Sequence, residues 1–155
     1  MERVLEEIMS QIGPMDDDIQ TVLRMTDGRW IVRFGEIDVE VEHDPATNRL
    51  MFSTLIAPVP PGRAAEVLEA LLLYAMAWRE TGGVRMALNG PGGAVVQMAD
   101  VFAPDADART VVTVARNLAG RVPFWHDFLV AQSQAAGAPQ AGAPGSFAFE
   151  TMIRG

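Results

Sequence analysis

Cysteine and lysine are both absent from this chain of 155 residues, and histidine occurs only twice. Without cysteine the protein can form no disulfide, no thiolate zinc site and no cysteine nucleophile, and nothing points to an oxidising compartment. All 12 basic residues are arginine, and they face 20 acidic residues, which gives a net charge of -8. This balance disfavours binding to nucleic acid or anionic membranes, because both select basic surfaces.

Long apolar runs are absent as well. No stretch approaches the ~18 residues of a membrane span, and the N-terminus lacks the basic and then apolar regions of a signal peptide. We therefore expect a cytoplasmic protein without membrane insertion. Yet 49% of the residues are hydrophobic and 9 are methionine. This is a large apolar share for an acidic chain of one-domain size, so we expect part of it to face a partner.

The first half of the chain predicts a helix followed by antiparallel strands. Apolar residues in 1–12 share one face of a helical wheel, and Gly13-Pro14 ends that helix. Residues 19–26 fit either a strand or a loop. Three strands are predicted from alternating apolar residues, over 29–34, 37–43 and 49–57.

The second half predicts a helix, a hairpin and a final helix. The middle helix covers residues 63–79, and its end, 71–78, is apolar on every side. A helix that is apolar all round must be buried all round, so we expect one side on the sheet and the other on a second subunit. The hairpin covers residues 84–102, and Asp105 is the expected N-cap of the final helix. The fold class is therefore α+β, in the order αβββαββα.

The C-terminal part differs from the rest in composition. Residues 1–132 form the predicted α+β domain, and 133–146 are an uncharged linker rich in Ala, Gly and Pro. Residues 147–155 are apolar and strand-like. One hypothesis is that this segment occupies an apolar groove on its own chain or on a neighbour, with Phe147, Phe149, Thr151 and Ile153 on one face. The alternative is a disordered tail.

No catalytic, cofactor or metal site is predicted. His43 and His126 lie on different predicted elements without metal-ligand spacing, and no serine lies in a nucleophile motif. The glycines at 90–93 lie between strands and lack the Lys-Ser/Thr of a phosphate loop. Asp38 and Glu40 are most simply the solvated face of a strand. An acidic body with exposed apolar residues is instead typical of a binding protein.

Three stretches carry a family resemblance. They are DGRWIVRFGEIDVEVEHDPATNRLMFSTLIAPVPP, AAEVLEALLLYAMAWRETGGVRMALNGPGGAVVQM and VPFWHDFL. In this order, on an acidic cysteine-free chain, they resemble the class I type III secretion chaperones, the family of the Tir chaperone. The resemblance covers residues 1–132 and leaves the C-terminal tail unmatched.

The resemblance implies a cytoplasmic homodimer without catalytic activity. Its partner would be a secreted effector, bound as an extended chain through an N-terminal segment and kept soluble and competent for secretion. The implied partner-binding patch consists of Val4, Leu5, Ile8, Met9, Ile12, Ile31, Met51 and Leu55. The implied dimer contact consists of Leu72, Leu73, Tyr74, Met76 and Trp78.

Two alternatives stay open from the sequence. The first is a cytoplasmic regulatory protein of the same fold that binds a signalling partner. The second is a small enzyme, which would require a pocket with convergent polar groups and shifted pKa values.

Overall fold

The structure, a computed structural model, describes residues 2–137, which form three helices and six strands. The helices are α1 (Glu2–Ile12), α2 (Ala64–Met76) and α3 (Ala108–Gly137). The strands are β1 (Ile19–Arg24), β2 (Trp30–Phe34), β3 (Ile37–Asp44), β4 (Arg49–Pro58), β5 (Arg85–Leu88) and β6 (Ala94–Phe102). They form one sheet in the order β1-β2-β3-β4-β6-β5.

The predicted α+β order is confirmed, with one more strand in the meander. Residues 19–26, which fitted a strand or a loop, contain β1, and β1 pairs antiparallel with β2. Ile19 is buried opposite Phe34, whereas Leu23 and Arg24 are exposed. Only one end of β1 therefore contributes to the core, which explains why its apolar alternation is weak.

The final helix begins two residues later than predicted. Asp107, not Asp105, caps α3, because its Oδ1 accepts a hydrogen bond of 2.7 Å from the backbone N–H of Thr110. This bond satisfies a donor in the first helical turn. The pKa of Asp107 is lowered chiefly by a hydrogen bond from the Thr110 side chain and further by this backbone bond. Asp105 instead ends a short 3-10 helix, Ala103–Asp105.

α3 also extends further than predicted. It ends at Gly137, so residues 133–137 of the predicted linker are helical. Gln134, Ala135 and Ala136 favour helix, while Gly137 and Pro139 form a stop signal. Residues 138–146 and the strand-like segment 147–155 lie outside the described residues.

The chain divides into two compact units. Unit 1 holds the residues up to Leu55 together with Met98–Gly120. Its core is built from the inner face of β2, β3 and β4, with Val32, Val39, Val41 and Phe52 at 0% exposure. The apolar face of α1 and the apolar side chains in the first half of α3 are also buried in unit 1.

Unit 2 holds Ile56–Gln97 together with the described residues from Arg121 onward. Aromatic residues dominate its core. The rings of Tyr74 and Trp125 meet edge to face with their centroids 5.0 Å apart, and Phe128 packs on the same tryptophan. Such pairs add packing energy beyond their buried area.

Candidate partner-binding surfaces

Unit 1 contains an open groove of about 500 Å³ beside β1. The groove lies where the end of α1 and the 3-10 helix Gly13–Met15 meet the strand. β1 is the outer strand of the sheet, with β2 as its neighbour. The groove is lined by Met9, Ser10, Gly13, Pro14, Ile19, Gln20, Thr21, Val22 and Trp30.

A register shift in β1 shapes the wall of this groove. Ile19 pairs with Phe34, but Thr21 pairs with Arg33, so one residue is inserted between them. A bulge of this kind bends an edge strand and redirects its side chains. Gln20, which lies in the bulge, is exposed and lines the groove.

An ion pair holds the short helix at the end of the groove. The Asp16 carboxylate is buried, accepts a hydrogen bond of 2.7 Å from Arg116 Nε, and accepts another of 3.0 Å from the Asp18 backbone. The Arg116 hydrogen bond is the main reason that the pKa of Asp16 lies below its ordinary value, although burial acts in the opposite direction. α3 is thereby joined to the segment after α1.

Most of the predicted patch on α1 faces inward. Leu5, Ile8, Met9 and Ile12 are all buried in unit 1, and only Met9 among them lines the groove. Val4, in contrast, is 51% exposed. The amphipathic pattern predicts α1, but the apolar face of this helix belongs mainly to the core of unit 1.

The three sheet residues of the predicted patch lie on the outer face of the meander. Ile31 neighbours a buried residue, Val32, and successive side chains of a strand point to opposite faces. By the same alternation, Met51 and Leu55 point to the face of β4 opposite to that of the buried Phe52 and Thr54. Buried α1 residues and outer sheet residues therefore do not form one continuous patch.

The outer face of the meander carries charge as well as apolar side chains. Arg33 and Asp38 form two hydrogen bonds, of 2.6 and 2.8 Å, across β2 and β3. Leu23 of β1 pairs with Ile31, so the two share this face, and Leu23 is 47% exposed. Both side chains belong to a mixed surface rather than to a dry apolar one.

Four of the five predicted dimer residues are exposed on unit 2. Leu72 and Met76 are 72% and 82% exposed, and Leu73 and Trp78 are about half exposed. Leu68 lies one turn before Leu72 and is also exposed. We call Leu68, Leu72, Leu73 and Met76 the α2 stripe.

Tyr74 is different from the other predicted dimer residues. It is 1% exposed, packs against Trp125, and its hydroxyl accepts a hydrogen bond of 2.5 Å from Arg121. Burial is the main reason that the pKa of Tyr74 is raised. Its side chain therefore offers no surface to a second subunit, because the helical period turns residue 74 away from the α2 stripe.

Sequence reasoning missed most of the groove. Ile19, Thr21 and Val22 lie in the segment that fitted either a strand or a loop, and Trp30 was read only as a strand residue. The available signal was the turn at Asp27-Gly28, which joins two strands and therefore implies a strand before it as well as after it.

Metal-binding and membrane features were sought within residues 2–137. No group of three or more His, Asp or Glu side chains there could hold a metal ion. No helix in that range is long and apolar enough to cross a membrane.

Comparisons with known proteins agree with this fold. Three solved structures resemble it at 11 to 17% sequence identity: the HopA1-SchA chaperone-effector complex, the ExsC-ExsE complex, and the Yersinia pestis type III secretion chaperone SycH with a fragment of YscM2. Their TM-scores are 0.64, 0.57 and 0.52. The alignments cover 81, 83 and 79% of this chain and 95, 92 and 97% of theirs.

The family itself is identified from the sequence. No match is found among curated proteins. The model of the Tir chaperone protein (CesT) family matches residues 14–119, which include the edge strand β1, the whole sheet and α2. The chain belongs to the Tir chaperone protein (CesT) family.

Proposed function

We propose that this protein is a non-catalytic cytoplasmic chaperone of type III secretion. It binds the N-terminal segment of a secreted effector as an extended chain and keeps that effector soluble and competent for secretion. Membership of the Tir chaperone family supports this function, as do the chaperone and effector complexes among the solved structures of the same fold. The observation that carries the proposal is the open groove beside β1.

The groove suits an extended guest because it combines a strand edge with apolar side chains. An added strand gains backbone hydrogen bonds along the edge, and its alternate side chains enter pockets beside it. Val22 and Trp30 are half-buried and line the groove, so they provide apolar surface to such a guest. Leu23 continues β1 beyond the groove and is exposed.

A second part of the proposal is a homodimer formed through the α2 stripe, with Trp78 beside it. Leu72 and Met76 are the most exposed large apolar residues in the described part of unit 2. Apolar residues this exposed, on successive turns of one helix, are typical of an interface. The net charge of -8 keeps a protein with such surfaces soluble. Tyr74 is not part of the proposed interface.

A matched pair of substitutions tests the groove. Ser10 and Gln11 are adjacent exposed residues of α1, but only Ser10 lines the groove. Ser10→Trp should fill the groove, whereas Gln11→Trp places the same side chain outside it. If the tryptophan prevents one or two apolar side chains of the guest from being buried in the groove, each loses about 1.5 to 3 kcal/mol of binding free energy. The affinity of the guest then falls at least roughly tenfold.

The experiment is capture of partners from the native cell by the tagged chain, followed by mass spectrometry and mapping of the bound region. We expect one or more secreted proteins, held through N-terminal segments, with the unmodified chain and Gln11→Trp but not with Ser10→Trp. Capture of a signalling protein through a folded domain would favour the regulatory alternative instead.

A further inference from the structure

Asp16 joins the two segments that form one end of the groove beside β1. Its backbone N–H donates a hydrogen bond of 3.5 Å to the Gly13 carbonyl, at the end of the 3-10 helix. Its own carbonyl accepts one of 3.0 Å from the N–H of Ile19, the first residue of β1. Gly13 and Ile19 both line the groove, whereas Asp16 is buried and is not a lining residue. The relative position of the two segments therefore depends on where Asp16 is held.

Arg116 fixes Asp16 from a distant part of the chain. Arg116 Nε donates a hydrogen bond of 2.7 Å to Asp16 Oδ2, and Nη2 of the same guanidinium forms an ion pair with that oxygen. The Asp16 side chain is 0% exposed, so its charge needs this partner. Arg116 itself is anchored, because its neighbours Ala115 and Leu118 on α3 are fully buried in unit 1. The ion pair therefore ties the end of the groove to the core of unit 1.

The edge strand β1 needs such a tie more than an inner strand does. It has β2 as its neighbour on one side, and the register shift between Ile19 and Thr21 interrupts even that pairing. A slip of one residue would exchange the two faces of the strand, because successive side chains point to opposite faces. Thr21 and Val22 line the groove in the register observed. The hydrogen bond from Ile19 to Asp16 holds the beginning of the strand in that register.

We propose that Asp16 and Arg116 are positioning residues for the guest, which hold the end of the groove in the form that receives an extended chain. Neither side chain has to contact the guest. A guest that meets a groove already formed binds without the cost of ordering it. A groove that is formed only part of the time lowers the apparent affinity by that fraction. This inference rests on the proposed function and adds to it two residues outside the groove lining.

Arg116→Met tests the proposal in the full chain, with Arg49→Met as the matched control. Each substitution removes a partly exposed guanidinium from an ion pair with a more buried carboxylate, which in the control is Asp100, with a side chain 12% exposed. Arg49 lies on β4 and does not line the groove. The double variant Asp16→Asn with Arg116→Met leaves no unpaired buried charge, so it replaces Arg116→Met if that variant does not fold. Circular dichroism checks the fold of each variant.

The probe is the effector segment mapped by capture with the unmodified chain, made as a labelled peptide, and stopped-flow fluorescence measures its binding rates. We expect Arg116→Met and the double variant to bind at least about tenfold more weakly, because association slows while dissociation changes little. Arg49→Met should bind as the unmodified chain does. Unchanged affinity in the Arg116 variants, an equal loss in Arg49→Met, or a loss confined to the dissociation rate would each overturn the proposal.

Hydrogen exchange of the chain without guest measures the end of the groove itself. The N–H groups of Asp18 and Ile19 both donate to Asp16. We expect them to exchange at least about tenfold faster in Arg116→Met than in Arg49→Met. Equal exchange in the two variants would contradict the positioning role.

The Ser10→Trp variant separates this inference from the proposed function. If the unmodified chain binds the peptide and Ser10→Trp does not, the groove is the binding site, and normal affinity in Arg116→Met refutes only the positioning role. If the unmodified chain captures no secreted protein, the proposed function fails and the positioning role fails with it.

Discussion

Replacing Leu72 by Glu should dissociate the proposed homodimer without unfolding the chain. Leu72 is 72% exposed in the single chain and lies at the centre of the α2 stripe, one turn from Met76. Glutamate is a good helix former, so α2 should tolerate it in the monomer. In a symmetric dimer each interface residue occurs twice, so one substitution removes two apolar side chains.

The size of the effect follows from the exposed fractions. Full burial of a leucine or methionine side chain is worth about 1.5 to 3 kcal/mol, and most of that remains unrealised at Leu72 in the single chain. Two copies therefore contribute about 2 to 4 kcal/mol to association. Losing them raises the dimer dissociation constant roughly 30- to 1,000-fold, before any cost of burying two carboxylates.

Sedimentation velocity over a range of concentrations measures this directly. The unmodified chain and Leu72→Met should sediment as dimers, since a swap that conserves volume costs little. Leu72→Glu should sediment as a folded monomer with an unchanged circular dichroism spectrum. A monomeric unmodified chain, or a dimer unaffected by Leu72→Glu, would refute the assignment of the α2 stripe.

Three further substitutions test a buried tyrosine, a buried carboxylate and the turn between β5 and β6. Tyr74→Phe removes the part-buried hydrogen bond that Arg121 donates to the Tyr74 hydroxyl. It should lower the free energy of unfolding by about 1.5 to 3 kcal/mol, measured by urea denaturation, with no change in association. Loss of the dimer in this variant would instead show that residue 74 contributes to the interface. Asp16 has a lowered pKa in the folded state, so its contribution to stability is present above its ordinary value of 3.8 and is lost as the pH falls below that. Asp16→Asn should therefore destabilise the chain at pH 7 by about 1 to 3 kcal/mol, and this difference should shrink as the pH is lowered below 3.8. A difference that stays constant as the pH falls would exclude the ion pair as the cause. Gly93→Ala would bring a Cβ against Asn89 Oδ1, which accepts a hydrogen bond from the Ala94 backbone N–H. The control is Gly92→Asn, because Gly92 has a left-handed backbone conformation that asparagine tolerates. Thermal unfolding of Gly93→Ala should therefore occur at a lower temperature than that of Gly92→Asn.

The predictable part of the fold is the part in which one local pattern decides the structure. β3 is an example, because Val39 and Val41 alternate with charged residues and are fully buried in the structure. Periodicity also predicted α1 and α2 within a few residues. β1 was ambiguous because an edge strand with one buried end has little alternation to display.

The candidate site was less predictable because periodicity does not say what covers an apolar face. Leu5 and Val4 both lie on the apolar arc of α1, yet one is buried and the other exposed. Tyr74 stands among exposed leucines in the sequence, but its partners Trp125 and Arg121 come from a helix that begins much later in the chain. Contacts of such long sequence separation decide burial, and no local pattern records them.

Binding of an extended guest along β1 should change the exchange of the backbone amides of this strand. The decisive experiment is hydrogen exchange of the chaperone with and without the N-terminal segment of its captured effector. We predict slower exchange of the β1 amides, Ile19–Arg24, when the guest is bound, and loss of this protection in Ser10→Trp but not in Gln11→Trp. Unchanged exchange along β1, with protection confined to other parts of the chain, would show that the guest binds elsewhere.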